Sequence, residues 1–219
     1  TGQIDLSAST IASYTVTYTT AGTCPNTSTQ TVEIAALAQV NNVYSMEFDG
    51  SNNVIVDDSS GNLETANVSA SVWFKGNTQS VNFNYLISKV NNTGSKGYAI
   101  YAGDSNNKLS FFIWNGTSFV VTSLASVVMD NNWHHAVGTF DGTNLKLYVD
   151  GSLYSSTTSA SGIVYDGGDL IIGAQTTAAA RSFEGKLDEI GIFNTALTAQ
   201  EVQNIYNATE TGKTADLND

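Results

Sequence analysis

The chain has 219 residues, 41% of them hydrophobic and only 13% charged, with a net charge of −12. Its eight basic residues are scattered, which argues against a nucleic-acid partner, because phosphates need clustered Lys and Arg. No run of about eighteen apolar residues is present to span a membrane. The single cysteine, Cys24, rules out an intrachain disulfide and leaves stability to a packed core.

In chain order, residues 1–36 stand apart. Tyr14-Thr-Val-Thr-Tyr-Thr-Thr20 alternates, the stretch 22–28 is turn-like and holds the only proline, and Thr29-Gln-Thr-Val-Glu-Ile34 returns as a strand. Such a hairpin has too few partners to be stable alone. It is either the end of a preceding domain or an extra hairpin docked on the domain after it, with 37–43 as a linker. Strands are expected near 44–48, 53–57, 68–74, 84–90, 97–102 and 108–114. The Asn115-Gly116 turn then leads to 118–122. Ala70, Val72 and Phe74 share one face of their strand.

The centre of the chain is Trp133 to Tyr154. Asp141-Gly142 and Asp150-Gly151 tolerate the positive φ of tight hairpins, so three antiparallel strands are expected. Leu145, Leu147 and Val149 point one way, Lys146, Tyr148 and Asp150 the other, and one face is expected to be buried. Leu170-Ile-Ile-Gly173 and residues 183–193 supply the last strands. Thr198-Ala-Gln-Glu201 is a capping box that opens one short helix, with Leu197, Val202, Ile205 and Tyr206 on its apolar side. Residues 211–219 are expected as a tail. The fold class is all-β, an antiparallel β-sandwich with that C-terminal helix.

Three motifs carry a family resemblance. Trp133-His134, the Phe140-Asp-Gly142 turn and Leu147-Tyr-Val-Asp-Gly151 resemble the laminin-G-like, concanavalin A-like jelly-roll family. Tyr44-Ser-Met-Glu-Phe-Asp-Gly50 and Gly185-Lys-Leu-Asp-Glu-Ile-Gly-Ile-Phe193 agree with it, and the likeness spans 44–210. The hairpin of 1–36 resembles the last two strands of immunoglobulin-like repeats in large bacterial surface proteins. These resemblances imply an extracellular or cell-surface setting, a virion included.

The jelly-roll resemblance also implies a structural calcium between the early turn and the last strand, at Asp49 and Asp188. Asp57, Asp58 and Asn53 are further oxygen donors. The alternative is that Asp49 forms a turn and Asp188 is a hydrogen-bonded strand residue. A sugar would stack on aromatic rings while amides take its hydroxyls. Trp114, Asn115, Tyr98, Tyr101 and Tyr165 are the candidates for ligand binding, with Phe119 beside them.

No catalytic residue is assigned. Glycosidases of this fold use paired carboxylates, but Asp188 and Glu189 are adjacent and diverge across a strand. His134 and His135 are expected to be structural, with no acid at ligand spacing read beside them. The reading is a non-catalytic module of a larger surface protein, binding glycan or protein. Two alternatives stay open: a self-assembling structural subunit of a virion or extracellular filament, and a glycan-active hydrolase.

Overall fold

Glycine-bearing corners set the geometry of the central strands. Asp150 (φ +48°) and Gly151 (φ +74°) both take left-handed backbone, as a two-residue hairpin requires, and Val149 pairs with Ser152 directly across them. The Asp141-Gly142 corner is built differently from the expectation. Of the two residues, Gly142 alone has positive φ (+93°). Asp141 Oδ1 accepts the N–H of Thr143 at 3.0 Å and of Asn144 at 2.7 Å, so a side chain orders a wider loop.

The computed structural model describes residues 12–19, 26–34, 44–77, 83–90, 96–102, 108–127 and 129–215. Cys24 and the linker expected at 37–43 lie outside them. Contacts divide the chain into two units, Thr1–Asn41 and Asn42–Asp219. The first contains strands β1 (Ala12–Thr19) and β2 (Thr27–Ile34), an antiparallel pair running from Ala12 opposite Ile34 to Thr19 opposite Thr27.

The second unit contains β3 (Met46–Asp49), β4 (Val54–Val56), β5 (Val68–Lys75), β6 (Asn84–Lys89), β7 (Tyr98–Ala102), β8 (Lys108–Trp114) and β9 (Phe119–Val127). It continues with β10 (His134–Phe140), β11 (Asn144–Val149), β12 (Ser152–Thr158), β13 (Leu170–Ile172), β14 (Glu184–Phe193) and α1 (Ala199–Ala215). One six-stranded sheet has the order β12-β11-β10-β5-β14-β3, the other β4-β13-β6-β7-β8-β9. The neighbours within both sheets are antiparallel.

Alternate residues of each sheet fill the space between them. Val68, Ala70, Val72 and Phe74 of β5 and Leu145 and Leu147 of β11 share one core with Tyr98 and Ile100 of β7 and Leu109, Phe111 and Ile113 of β8. Burying each large apolar side chain contributes roughly 1.5–3 kcal/mol before the entropy of ordering is set against it.

The expectation of one buried face holds only between the sheets. Part of the opposite face of the first sheet is covered as well, because α1 lies on it at β10 and β11. Val137 and Tyr148 pack with Leu197 and Val202, and Ile205 and Phe193 join them. The helix begins at the expected capping box: Thr198 donates its N–H (2.7 Å) and hydroxyl (2.8 Å) to Glu201 Oε2, while Glu201 N–H donates back to Thr198 Oγ1 at 3.2 Å. It runs on to Ala215, through residues expected as tail.

Candidate functional site

The β8–β9 hairpin tip brings together Trp114 and Asn115. Trp114 pairs with Phe119 across the hairpin, and their rings meet edge-on with centroids 4.8 Å apart. Asn115 Oδ1 accepts the N–H of Thr117 (3.0 Å) and Ser118 (2.9 Å), which leaves Gly116 to take φ +93°. The neighbouring loop is tied on by Val164 N–H to the Trp114 carbonyl, 2.9 Å. Phe119, Val121 and Val164 are exposed here.

The other three ring candidates are not part of this tip. Tyr98 is fully buried, because it shares the inward parity of Ile100 and Ala102, so it is core and touches no surface ligand. Tyr101 faces the other side of β7 and is closed in by Tyr85, Phe112 and Phe83. Tyr165 follows Val164, but its ring turns inward, edge-on to Tyr98, and its hydroxyl donates to the Thr65 carbonyl at 2.9 Å.

Asp49 and Asp188 do not meet. Strand register places Glu184 opposite Asp49. Asp188 lies four residues further along β14, about 13 Å at the rise of a strand, and pairs with Trp73 instead. The Asp49 carboxylate is engaged by its own turn: Oδ1 accepts Ser51 Oγ–H and N–H, both at 2.8 Å, and Asn52 N–H at 3.1 Å. The Ser51 hydroxyl and amide hold its pKa below the usual carboxylate value. Asp188 is buried and accepts the Glu189 N–H at 2.8 Å. Asp57 accepts Ser59 Oγ–H, Asn53 donates to the carbonyls of Thr176 and Thr177, and Asp58 is paired with Lys89. Among the described residues, no three His, Cys, Asp or Glu side chains are grouped as a metal would need.

What Asp49 does border is a groove of about 370 Å³ at the end of β3, β14 and β5. Phe48, Leu187 and Phe74 point into the core, so Glu47, Asp49, Glu184, Lys186 and Lys75 lie on the outer face. Lys186 sits opposite Glu47 on one side and Lys75 on the other. Asn77 and Asn131 complete the polar rim. The two lysines were not read from the sequence as site residues. Single lysines in strands carry no such signal, and only the pairing register puts them side by side.

The two histidines differ sharply. His134 lies between two acids, Nδ1 2.8 Å from Asp150 Oδ2 and Nε2 3.1 Å from Asp130 Oδ1. The expectation that no acid is near it is therefore wrong. Asp130 is four residues upstream and Asp150 lies across a hairpin whose register could be counted. The Asp150 hydrogen bond raises the His134 pKa. His135 is buried, with Nε2 2.8 Å from Ser71 Oγ, and burial lowers its pKa to about 4.

A laminin-G-type family model, described as the concanavalin A-like lectin/glucanases superfamily, matches residues 48–203. No curated protein matches the sequence. Domain 4 of AbnA, a GH43 extracellular arabinanase from Geobacillus stearothermophilus, solved with arabinotriose, is similar over 74% of this chain and 76% of that one, at 17% identity and a TM-score of 0.58. The Ruminococcus gnavus IT-sialidase CBM40 bound to α2,3-sialyllactose is similar over 74% and 95%, at 12% identity and a TM-score of 0.59. The binding domain of Paraclostridial Mosquitocidal Protein 1 is similar over 75% of this chain and only 43% of that one, at 17% identity and a TM-score of 0.59. At such identities these likenesses establish the fold alone. No helix among the described residues is long and apolar enough to cross a membrane.

Proposed function

The chain belongs to the concanavalin A-like lectin/glucanases superfamily, and from that premise we propose that it is a non-catalytic, extracellular carbohydrate-binding module of a surface protein, with its ligand in the groove between β3, β14 and β5. The observation that carries this reading is the lining of the groove. Two lysines, two asparagines and three carboxylates converge on one concavity. That set offers many donors and acceptors to a hydroxyl-rich ligand, and the adjacent Lys75 and Lys186 favour a sugar bearing a carboxylate. The Trp114 tip is the weaker candidate, because its ring is already in contact with Phe119.

A hydrolase reading has one observation in its favour, the placement of Glu184 directly opposite Asp49. Glycoside hydrolysis needs one sheltered, protonated carboxyl beside an ionised one. Asp49 is held ionised by its own turn, and Glu47 and Glu184 are solvent-exposed. The chemistry supported here is binding.

A glycan array of neutral and acidic sugars, read with calcium and with chelator, tests the proposal. Binding that Lys75→Ala and Lys186→Ala abolish is the expected result. No binding by a folded protein in either condition overturns the proposal, and binding lost only with Trp114→Ala moves the site to the hairpin tip. Binding lost in chelator restores the calcium that the family resemblance implies. Release of shortened glycan would establish the hydrolase instead.

A further inference from the structure

One cluster of titratable groups lies away from the groove proposed to hold the ligand. Lys89, the last residue of β6, is 3% exposed. It is the cross-strand neighbour of the core residue Tyr98, so its side chain runs between the sheets. Nζ lies 3.0 Å from Asp58 Oδ2 and 3.3 Å from Glu64 Oε1, and it also donates to the Gly168 carbonyl. Asp58 is 5% exposed, and both its carboxylate oxygens lie 3.2 Å from the Leu63 N–H. Beside it, the buried Tyr98 hydroxyl has no hydrogen-bond partner.

Two opposite charges this deep carry a large desolvation cost. The Lys89 ammonium and the Asp58 carboxylate are held at contact, out of water. That pair is an amide bond plus one water. Fixing the reactants in place replaces the entropy that a bimolecular condensation would lose.

We propose that Lys89 and Asp58 condense into an intramolecular amide cross-link, with Glu64 as the proton carrier. A proton first passes from Nζ to the Asp58 carboxylate, the Nζ lone pair then attacks Cγ of the resulting acid, and the C=O becomes an alkoxide facing the Leu63 N–H. Glu64 takes one proton from the nitrogen and delivers it to the departing hydroxyl. The C–O bond breaks, the carbonyl re-forms and one water leaves. Nothing is oxidised or reduced, and no other reactant is consumed. Glu64 suits the role because it touches the amine while remaining partly open to solvent. The product would join the loop after β4 to the end of β6, and so to the loop at Gly168.

Intact-mass spectrometry of the purified full chain, followed by peptide mapping, decides the question. The expected mass is one water below the sequence mass, with a branched peptide joining Asp58 to Lys89. Lys89→Arg and Glu64→Gln are both expected to restore the full mass, with the circular dichroism of the Glu64 variant unchanged. Mapping is required because an Asp-Gly step can also lose water as a succinimide. A folded protein of full mass, or a water loss mapped elsewhere, overturns the cross-link. A folded Glu64→Gln variant that still loses water at Lys89 overturns the role given to Glu64.

Discussion

Tyr206 of α1 lies flat on Trp73 of β5, their ring centroids 5.5 Å apart and their planes 15° from parallel. His135 packs on both rings, 5.2 Å from Trp73 and 6.0 Å from Tyr206. Three aromatic groups from two strands and the helix thus cover part of the outer face of the first sheet, beside the Val137, Tyr148, Leu197 and Val202 cluster.

Tyr206→Ala is expected to destabilise the protein by about 2 kcal/mol, and Trp73→Ala by about 3–5 kcal/mol because it also opens a cavity. The double variant should lose less than the sum of the two. Urea unfolding followed by circular dichroism measures this. Additive losses would mean that the stacked pair contributes no more than two independent side chains.

The two histidines should titrate apart. The Asp150 hydrogen bond raises His134 above its ordinary 6.5, so its contribution is fully present below pH 6.5 and is lost as pH rises through the folded value. His135 runs the other way. With its pKa lowered to about 4 by burial, it favours the folded state above pH 6.5, and that advantage drains away as pH falls toward 4. Since the chain has two histidines, their NMR signals can be followed without ambiguity. One imidazole should titrate above 6.5 and the other only near the acid limit of folding. Asp150→Asn should bring the first back down.

Gly138→Ala is expected to cost about 1–3 kcal/mol by overpacking. A Cβ on this β10 residue would lie 2.3 Å from Cγ and Cδ2 of Phe111, a buried ring of the opposite sheet. Phe111→Leu costs stability alone, yet should recover part of the loss when combined with Gly138→Ala. Thermal melts of the two single variants and the double variant give the answer.

Local chemistry was legible in the sequence and long-range register was not. The Asp150-Gly151 turn and the Thr198–Glu201 capping box are decided within a few residues, and both form as the residues dictate. Alternation shows that Tyr98 and Tyr101 face opposite sides of β7, but it does not say that the Tyr98 side is sealed or that Tyr101 is closed in by other rings. The pairing of Asp49 with Glu184 rather than with Asp188 depends on how β14 slides against β3. Between Asp188 and Gly191 the register with β5 also shifts, at a point where Glu189 takes φ +47°. A one-strand sequence carries no mark of either. The apolar side of the helix was legible, but not that Tyr206 would land on Trp73.

The groove lysines give the last prediction. Lys75 and Lys186 are cross-strand partners of like charge, an arrangement that weakens a sheet unless an anion offsets it. A carboxylate-bearing sugar placed there would relieve that repulsion. Lys186→Ala should change the stability of the unliganded protein little, because it removes a like-charge pair with Lys75 and an opposite-charge pair with Glu47 together, while reducing glycan affinity at least tenfold, about 1.4 kcal/mol. Lys186→Glu should remove binding altogether. Affinity falls as salt rises where the two lysines outweigh the three groove carboxylates and the net charge of −12, and rises where they do not. Calorimetric titration of acidic glycan at several salt concentrations, beside thermal melts of the unliganded variants, separates the two effects. If Lys186→Ala lowers stability and leaves affinity unchanged, the lysines serve the fold and the ligand binds elsewhere.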